Sequence, residues 1–169
     1  MADMDERLNQ WLRDAHAMEQ QAEQMLNGLA SRIENYPDFG ARIDRHIAET
    51  RSQKQRLETC LARRDISPSG MKDLAGQFTA LMQTAGGVLV GDEVVKGLLA
   101  SYTFEHMEIA SYRILVAGAE AAGDAETARV CEEICREEEA MAAWLEDHID
   151  ETTRAYLMRH ATRSEAAKR

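Results

Sequence analysis

The chain has 169 residues, which is enough for one domain with a sizeable core. Hydrophobic residues make up 44% of it, and this fraction excludes a disordered chain. Its formal net charge is -10, with 30 acidic and 20 basic residues. That balance argues against nucleic acid as a main partner, because phosphate binding needs a basic face. No apolar run approaches the roughly 20 residues of a membrane span. The opening segment MADMDERLNQ is polar and unlike a signal peptide, so we expect a cytoplasmic protein.

The residue types predict an all-α protein. Ala, Leu, Met, Glu, Gln and Arg dominate the chain and are strong helix formers, and Pro37 and Pro68 are its two prolines. Cys60, Cys131 and Cys135 lie within helical patterns, at spacings that suit neither a redox motif nor a zinc ribbon. We therefore expect three buried or half-buried thiols in a reducing compartment.

Four long helices follow from the apolar period. The first ends before Pro37, because proline disfavours helical backbone in the residue that precedes it. Asp92 is a good N-cap for the third helix, and Gly123 is a stop signal before the fourth. The helices are predicted over residues 5–34, 38–64, 92–122 and 124–149.

Short loops join the helices into two antiparallel hairpins, and a long connection joins the hairpins. The connection contains a short predicted helix over 71–83 and the apolar stretch 77-QFTALMQTAGGVLV-90, which we expect to pack on the bundle or on a second subunit. This arrangement predicts a ferritin-like antiparallel four-helix bundle over residues 1–150, with a crossover between helices two and three. Residues 151–169 are predicted to be a polar C-terminal tail with a short helix.

Each of the four apolar stripes is interrupted near its middle by a carboxylate. The four residues are Glu19, Glu49, Glu105 and Glu138, and they reach similar depths in antiparallel helices. Such acids cannot all stay ionised beside one another without compensation, which one or two metal ions would supply. His46 lies on the same face as Glu49, and hard oxygen ligands with a histidine suit iron or manganese in a bundle core.

The ligand assignment leaves alternatives open. A single glutamate in a helical stripe is more often a misassigned face than a ligand, and the coincidence of four such stripes is what favours a metal site. In 104-FEHMEIASY-112, Glu108 lies one turn beyond Glu105 and is a further candidate. A rotation of one residue would exchange Glu105 for Glu108, or Glu138 for Glu137.

Several stretches together resemble the YciE/YciF family of bacterial ferritin-like proteins, over about residues 4–160: 12-LRDAHAMEQQAEQML-26, 46-HIAET-50, 103-TFEHMEIASY-112 and 137-EEEAMAAWL-145. The YciE branch is the more similar, through 29-LASRIENYP-37, 64-RDIS-67 and 144-WLEDHI-149. The resemblance implies a ferritin-like bundle, often dimeric, linked to bacterial stress responses and labelled ferroxidase-like. The family's conserved acids and histidine fall here on Glu19, His46, Glu49, Glu105, Glu108 and Glu138, with Glu137 as an alternative.

One departure concerns the order of the ligands. Ferritin-like di-iron sites typically carry Glu-x-x-His on helices two and four. Here Glu49 is followed at that spacing by Ser52, and Glu138 by Met141. The histidine instead precedes the acid, as His46-x-x-Glu49, so the ligand set is rich in oxygen and short of nitrogen.

The leading hypothesis is a di-metal carboxylate protein with two irons per chain, or manganese or zinc, that oxidises Fe(II) with O₂ or peroxide. Tyr102 and Tyr112 would hydrogen-bond to the ligands, and no catalytic residue is predicted apart from the metal site. The alternative is a non-catalytic stress-response protein that acts as a homodimer or through a protein partner, with a structural or vestigial metal. Iron storage in a cage is a third hypothesis, disfavoured because the sequence displays no dedicated assembly surface.

Overall fold

A computed structural model of the chain describes residues 2–66 and 93–166, and it confirms the predicted bundle of four long helices. The first three helices begin and end within a few residues of their predicted bounds. The short helix over 71–83, the N-cap at Asp92 and the apolar stretch over 77–90 lie outside the described residues. The helices are α1 (Ala2–Ala30), α2 (Pro37–Arg63), α3 (Glu93–Ala121) and α4 (Ala125–Ala166).

The end of α4 differs from the prediction. The helix continues to Ala166, whereas the sequence pattern placed its end near Ile149. The residues after 150 are mostly good helix formers without glycine or proline, so nothing in them stops the helix. Arg159 also fixes this extension to the α1–α2 loop. Its Nη1 donates to the backbone oxygen of Asn35 at 2.9 Å, and its guanidinium lies over the ring of Tyr36.

The helices form a bundle in which α1 packs along α2 and α3, while α4 packs along α3 and α2. Leu29 lies against Gly97, and Trp11 lies against Gly118, so α1 and α3 run in opposite directions. Within the described ranges, no helix is both long enough and apolar enough to cross a membrane. The three cysteines are free and buried, as predicted.

The apolar core is divided into two clusters along the bundle axis. One contains Leu12 of α1 and Leu57 of α2, and the other contains Leu26 of α1 and Ile43 of α2. A single contiguous core is usual in a domain. Apolar residues at steps of three and four predict one buried stripe along α1, and this stripe runs through both clusters. Every member is at most 7% exposed: Leu8, Leu12, Ala15, Glu19, Ala22, Leu26, Leu29 and Ile33. The buried acids lie where the two clusters meet.

The α3–α4 turn also anchors the end of α2. Gly123 has φ +74°, the left-handed conformation that commonly ends a helix. Asp124 then caps α4, accepting from the backbone N and the hydroxyl of Thr127 at 3.0 and 2.7 Å. The same carboxylate pairs with Arg63 at 3.1 Å and Arg64 at 2.8 Å. Partial burial opposes ionisation, but these hydrogen bonds outweigh it and lower the pKa of Asp124 to about 2.

Replacing Asp124 should measurably destabilise the bundle. We expect Asp124→Ala to lower the free energy of unfolding by about 1–2 kcal/mol at pH 7, since both the cap and the arginine pairs are lost. Asp124→Asn keeps an acceptor for the helix N-terminus and should lose less. Urea denaturation followed by circular dichroism measures both variants, and equal stability of Asp124→Ala and wild type would contradict the cap assignment.

The charge contribution of Asp124 should disappear in acid. Its folded pKa of about 2 lies below the ordinary aspartate value of 3.8, so its stabilisation is complete above pH 3.8 and is lost as the pH falls towards 2. The stability difference between wild type and Asp124→Asn should therefore shrink across that window. A difference that stays constant from pH 5 to pH 2 would show that the ion pairs contribute nothing.

Candidate metal centre

Five polar side chains from all four helices converge where the two apolar clusters meet. Glu105 and Glu108 share the inner face of α3 because they are three residues apart, close to one helical turn. Glu138 of α4 and Glu19 of α1 are fully buried, and His46 of α2 is 1% exposed. Glu105 and Glu108 were alternatives for one inward position, but both side chains are 1% exposed and both face the core.

Four of these residues form a compact cluster. His46, Glu105, Glu108 and Glu138 each offer one ligand atom, and these atoms all lie within 4.8 Å of one another. The Nε2 of His46 is 3.2 Å from Glu105 Oε2 and 3.4 Å from Glu138 Oε2. A divalent cation takes oxygen and nitrogen ligands at about 2.0–2.6 Å, so opposite ligands stand roughly twice that distance apart. The cluster therefore has the dimensions of one coordination sphere.

Several carboxylate oxygens of the site have no hydrogen-bond donor beside them. Buried carboxylate oxygens normally have partners, and leaving one without a partner is costly. Both oxygens of Glu108 and Oε2 of Glu19 are buried without a hydrogen-bond partner, while Oε2 of Glu105 and Oε2 of Glu138 have only His46 Nε2 beside them, at 3.2 and 3.4 Å. An ionised carboxylate oxygen accepts hydrogen bonds and cannot donate them. Its lone pairs can bind a metal ion in place of a hydrogen-bond donor. The donor set therefore fits a hard divalent cation that takes mainly oxygen with one imidazole.

The electrostatics of the cluster point in the same direction. Burial raises the pKa of Glu19 to about 8, although the Tyr112 hydrogen bond opposes the shift. Burial, followed by the charges of neighbouring acids, raises the pKa of Glu108 and Glu138 well above the usual range. Burial lowers the pKa of His46, but the hydrogen bonds with Glu105 and Glu49 outweigh it and raise the value to about 9. Without a cation, the site therefore retains protons at neutral pH.

Glu19 lies beside the four-residue cluster. It is coupled electrostatically to Glu105 and His46, and its Oε1 accepts a hydrogen bond from the hydroxyl of the fully buried Tyr112. Of the two tyrosines predicted to support ligands, Tyr112 therefore contacts a candidate carboxylate. Tyr102 is half-buried and meets His106 edge-on, with 4.6 Å between ring centroids.

Glu49 is placed differently from the other predicted acids. Its side chain is 30% exposed and does not join the four-residue cluster. Its Oε2 lies 2.9 Å from Nδ1 of His46 and accepts from Arg42 at 3.1 Å. Partial burial opposes ionisation, but the His46 hydrogen bond and the charge of Arg42 prevail and lower the pKa of Glu49. The carboxylate is thus at the rim, behind the histidine.

Gln53 is a site residue to which the sequence analysis assigned no role. It is fully buried, and its Nε2 donates to Glu138 Oε1 and, at 3.0 Å, to Glu137 Oε2. Glu137 is 35% exposed and also pairs with Arg56, so Glu138 is the buried member of the two alternatives. The available signal was spacing: Gln53 lies seven positions after His46, two turns along the stripe of α2.

Comparisons with known proteins agree with this fold over most of its length. A solved structure from Xanthomonas campestris is 41% identical to the chain and superposes with a TM-score of 0.81, covering 94% of this chain and 99% of that one. YcfI from Rhodopseudomonas palustris is 28% identical with a TM-score of 0.70, covering 85% of this chain and 92% of its own.

The Escherichia coli stress protein YciF has a TM-score of 0.70 over 91% of this chain and 99% of its own, and at 23% identity it supports the fold alone. The family model described as "Domain of unknown function (DUF892)" matches residues 3–158. The chain therefore belongs to the DUF892 family, in agreement with the YciE/YciF resemblance of its sequence motifs.

Proposed function

We propose that the chain is a ferritin-like di-metal carboxylate protein that binds Fe(II) in the bundle core and oxidises it with O₂ or peroxide. The observation that carries this proposal is the set of buried carboxylate oxygens without partners, facing one imidazole nitrogen. A dry core would favour apolar residues at these positions, since buried acids without a cation cost stability. A core that takes up a cation explains them.

The first ion would be held by the four-residue cluster, in which His46 supplies the one nitrogen ligand. A second ion would use Glu19, which stands beside the cluster and is electrostatically coupled to Glu105. Glu108 is the natural residue to serve both ions, because both of its oxygens are free to bind. The proposed ligands are thus His46, Glu19, Glu105, Glu108 and Glu138.

Iron is the substrate in this proposal, and each Fe(II) gives one electron to the oxidant. Anionic oxygen ligands favour the more highly charged ferric product. The chain's own contribution is to bind and orient the ion, while the apolar clusters on either side limit the access of water. Tyr112 fixes the carboxylate of Glu19, and Gln53 fixes that of Glu138.

The cellular setting belongs to the same proposal. YciF is named as a stress protein of E. coli, and its fold is shared by this chain. We propose that the chain acts in a bacterial stress response, in the cytoplasm and as a homodimer. Removal of reactive Fe(II) during oxidative stress is the role that this chemistry would serve.

The deciding experiment is an anaerobic Fe(II) titration followed by addition of O₂ or peroxide. We expect up to two irons per chain and a ferric absorbance that rises faster than in an iron-only control. Bound iron without accelerated oxidation would favour the non-catalytic alternative, a stress protein with a structural metal. Failure to bind Fe(II), Mn(II) or Zn(II) would overturn the proposal.

Glu108→Gln should separate binding from stability. We expect the metal-free variant to be more stable than wild type by about 1–3 kcal/mol, because a strongly buried acid is replaced by a neutral amide of similar size. Its affinity for Mn(II) should fall by more than tenfold. Thermal unfolding and calorimetric titration measure the two effects. Glu132→Gln, an exposed acid on α4, is the matched control and should change neither.

Metal binding should release protons. Glu19 and His46, with pKa values of about 8 and 9, hold protons at neutral pH and must lose them to become ligands. Affinity for redox-inert Mn(II) should therefore rise between pH 6 and 8, by about tenfold per pH unit for each proton released. Titration in buffers of different ionisation enthalpy counts the protons. An affinity that is independent of pH would contradict the assignment of these groups as ligands.

A further inference from the structure

The two ring nitrogens of His46 face different partners. Nε2 points at the carboxylates of Glu105 and Glu138, at 3.2 and 3.4 Å. Nδ1 points away from them, towards Oε2 of Glu49 at 2.9 Å. The ring is 1% exposed, so neither nitrogen relies on water for its partner.

This geometry decides which nitrogen carries the hydrogen when the ring is neutral. An ionised carboxylate can only accept, so Nδ1 must be the donor to Glu49. The lone pair of the neutral ring then lies on Nε2, which faces the cluster. Hydrogen bonding of the outer nitrogen to a carboxylate is how proteins fix both the tautomer and the orientation of a metal-binding histidine.

Arg42 holds Glu49 in this position. Its Nη1 donates to the same Oε2 at 3.1 Å, and the arginine is only 8% exposed. Arg42, His46 and Glu49 follow one another at steps of four and three residues, so the rigid helix α2 keeps them on one face. One carboxylate oxygen of Glu49 thus accepts from both the arginine and the histidine.

We infer that Glu49 is a positioning residue for His46 and not a metal ligand. This inference rests on the proposed function, since it assigns the rim residues of the same site. It also accounts for the inverted sequence order. His46-x-x-Glu49 places the histidine inward and the acid outward, so the α2 pair supplies one nitrogen ligand with a carboxylate behind it.

The distinction can be tested with two variants at one position. Glu49→Gln keeps a carbonyl oxygen that can accept from both Arg42 and His46, and it removes the negative charge. Glu49→Ala removes the acceptor altogether. A positioning role predicts that alanine lowers Co(II) affinity 10–100-fold and that glutamine restores most of it. A ligand role predicts that both variants lose affinity to a similar extent, as Glu105→Gln should, and this result would overturn the inference.

The matched control is Glu23→Ala. Glu23 is likewise a partly buried acid paired with cations of α2, namely Arg51 and Lys54, but it is not a member of the site. We expect this variant to leave Co(II) affinity and the visible Co(II) spectrum unchanged. Glu49→Ala should change that spectrum, because a free imidazole ring alters the coordination geometry.

A measurement without metal keeps this inference separate from the proposed function. The Nδ1 proton of His46 should give a slowly exchanging signal in ¹⁵N-edited NMR of the metal-free wild type and of Glu49→Gln. It should be lost in Glu49→Ala. If wild type binds no metal, the proposed function fails, and the Nδ1 signal still decides whether Glu49 fixes the ring. Retention of that signal in Glu49→Ala would overturn the inference.

Discussion

The main constraint on this structure is the free-energy cost of burying four carboxyl groups close together in the core of the bundle. Glu19, Glu105, Glu108 and Glu138 are fully or almost fully buried, and several of their oxygens have no hydrogen-bond partner. Hydrophobic burial in the two flanking clusters must offset this cost for the fold to form. A bound cation changes the balance, because it satisfies the oxygens and removes the mutual repulsion. The arrangement costs stability at this layer of the bundle and places a candidate metal site there.

Much of the fold and part of the site could be predicted from the residue pattern. Every residue of the stripe predicted on α1 is buried, including Glu19, because burial on a long amphipathic helix follows the period of 3.6 residues. The period alone did not identify His16, Ala17 and Met18, which are buried as well. The same reasoning placed His46, Glu105 and Glu138 inward. Glu108 was recognised through its spacing of one turn from Glu105.

The remaining features depend on side-chain direction and on distant contacts. Glu49 lies on the predicted face, but its long side chain turns outward to Arg42, and no periodicity reports such a rotation. Gln53 becomes meaningful only when α4 brings Glu138 against it. The length of α4 was underestimated because a polar helix end resembles a tail in composition, whereas its contact between Arg159 and the α1–α2 loop is made across the fold.

The division of the core has a consequence for how the molecule comes apart. The two apolar clusters flank a layer of buried titratable side chains that could hold a metal ion, and proteins open in roughly contiguous cooperative units. A cation bound by residues of α2, α3 and α4 would cross-link these helices in the layer between the two apolar clusters. The metal-bound chain would then unfold as one unit, while the metal-free chain would open first in the layer of buried acids between the clusters. If the chain binds iron as proposed, iron supply would also change how cooperatively the bundle unfolds.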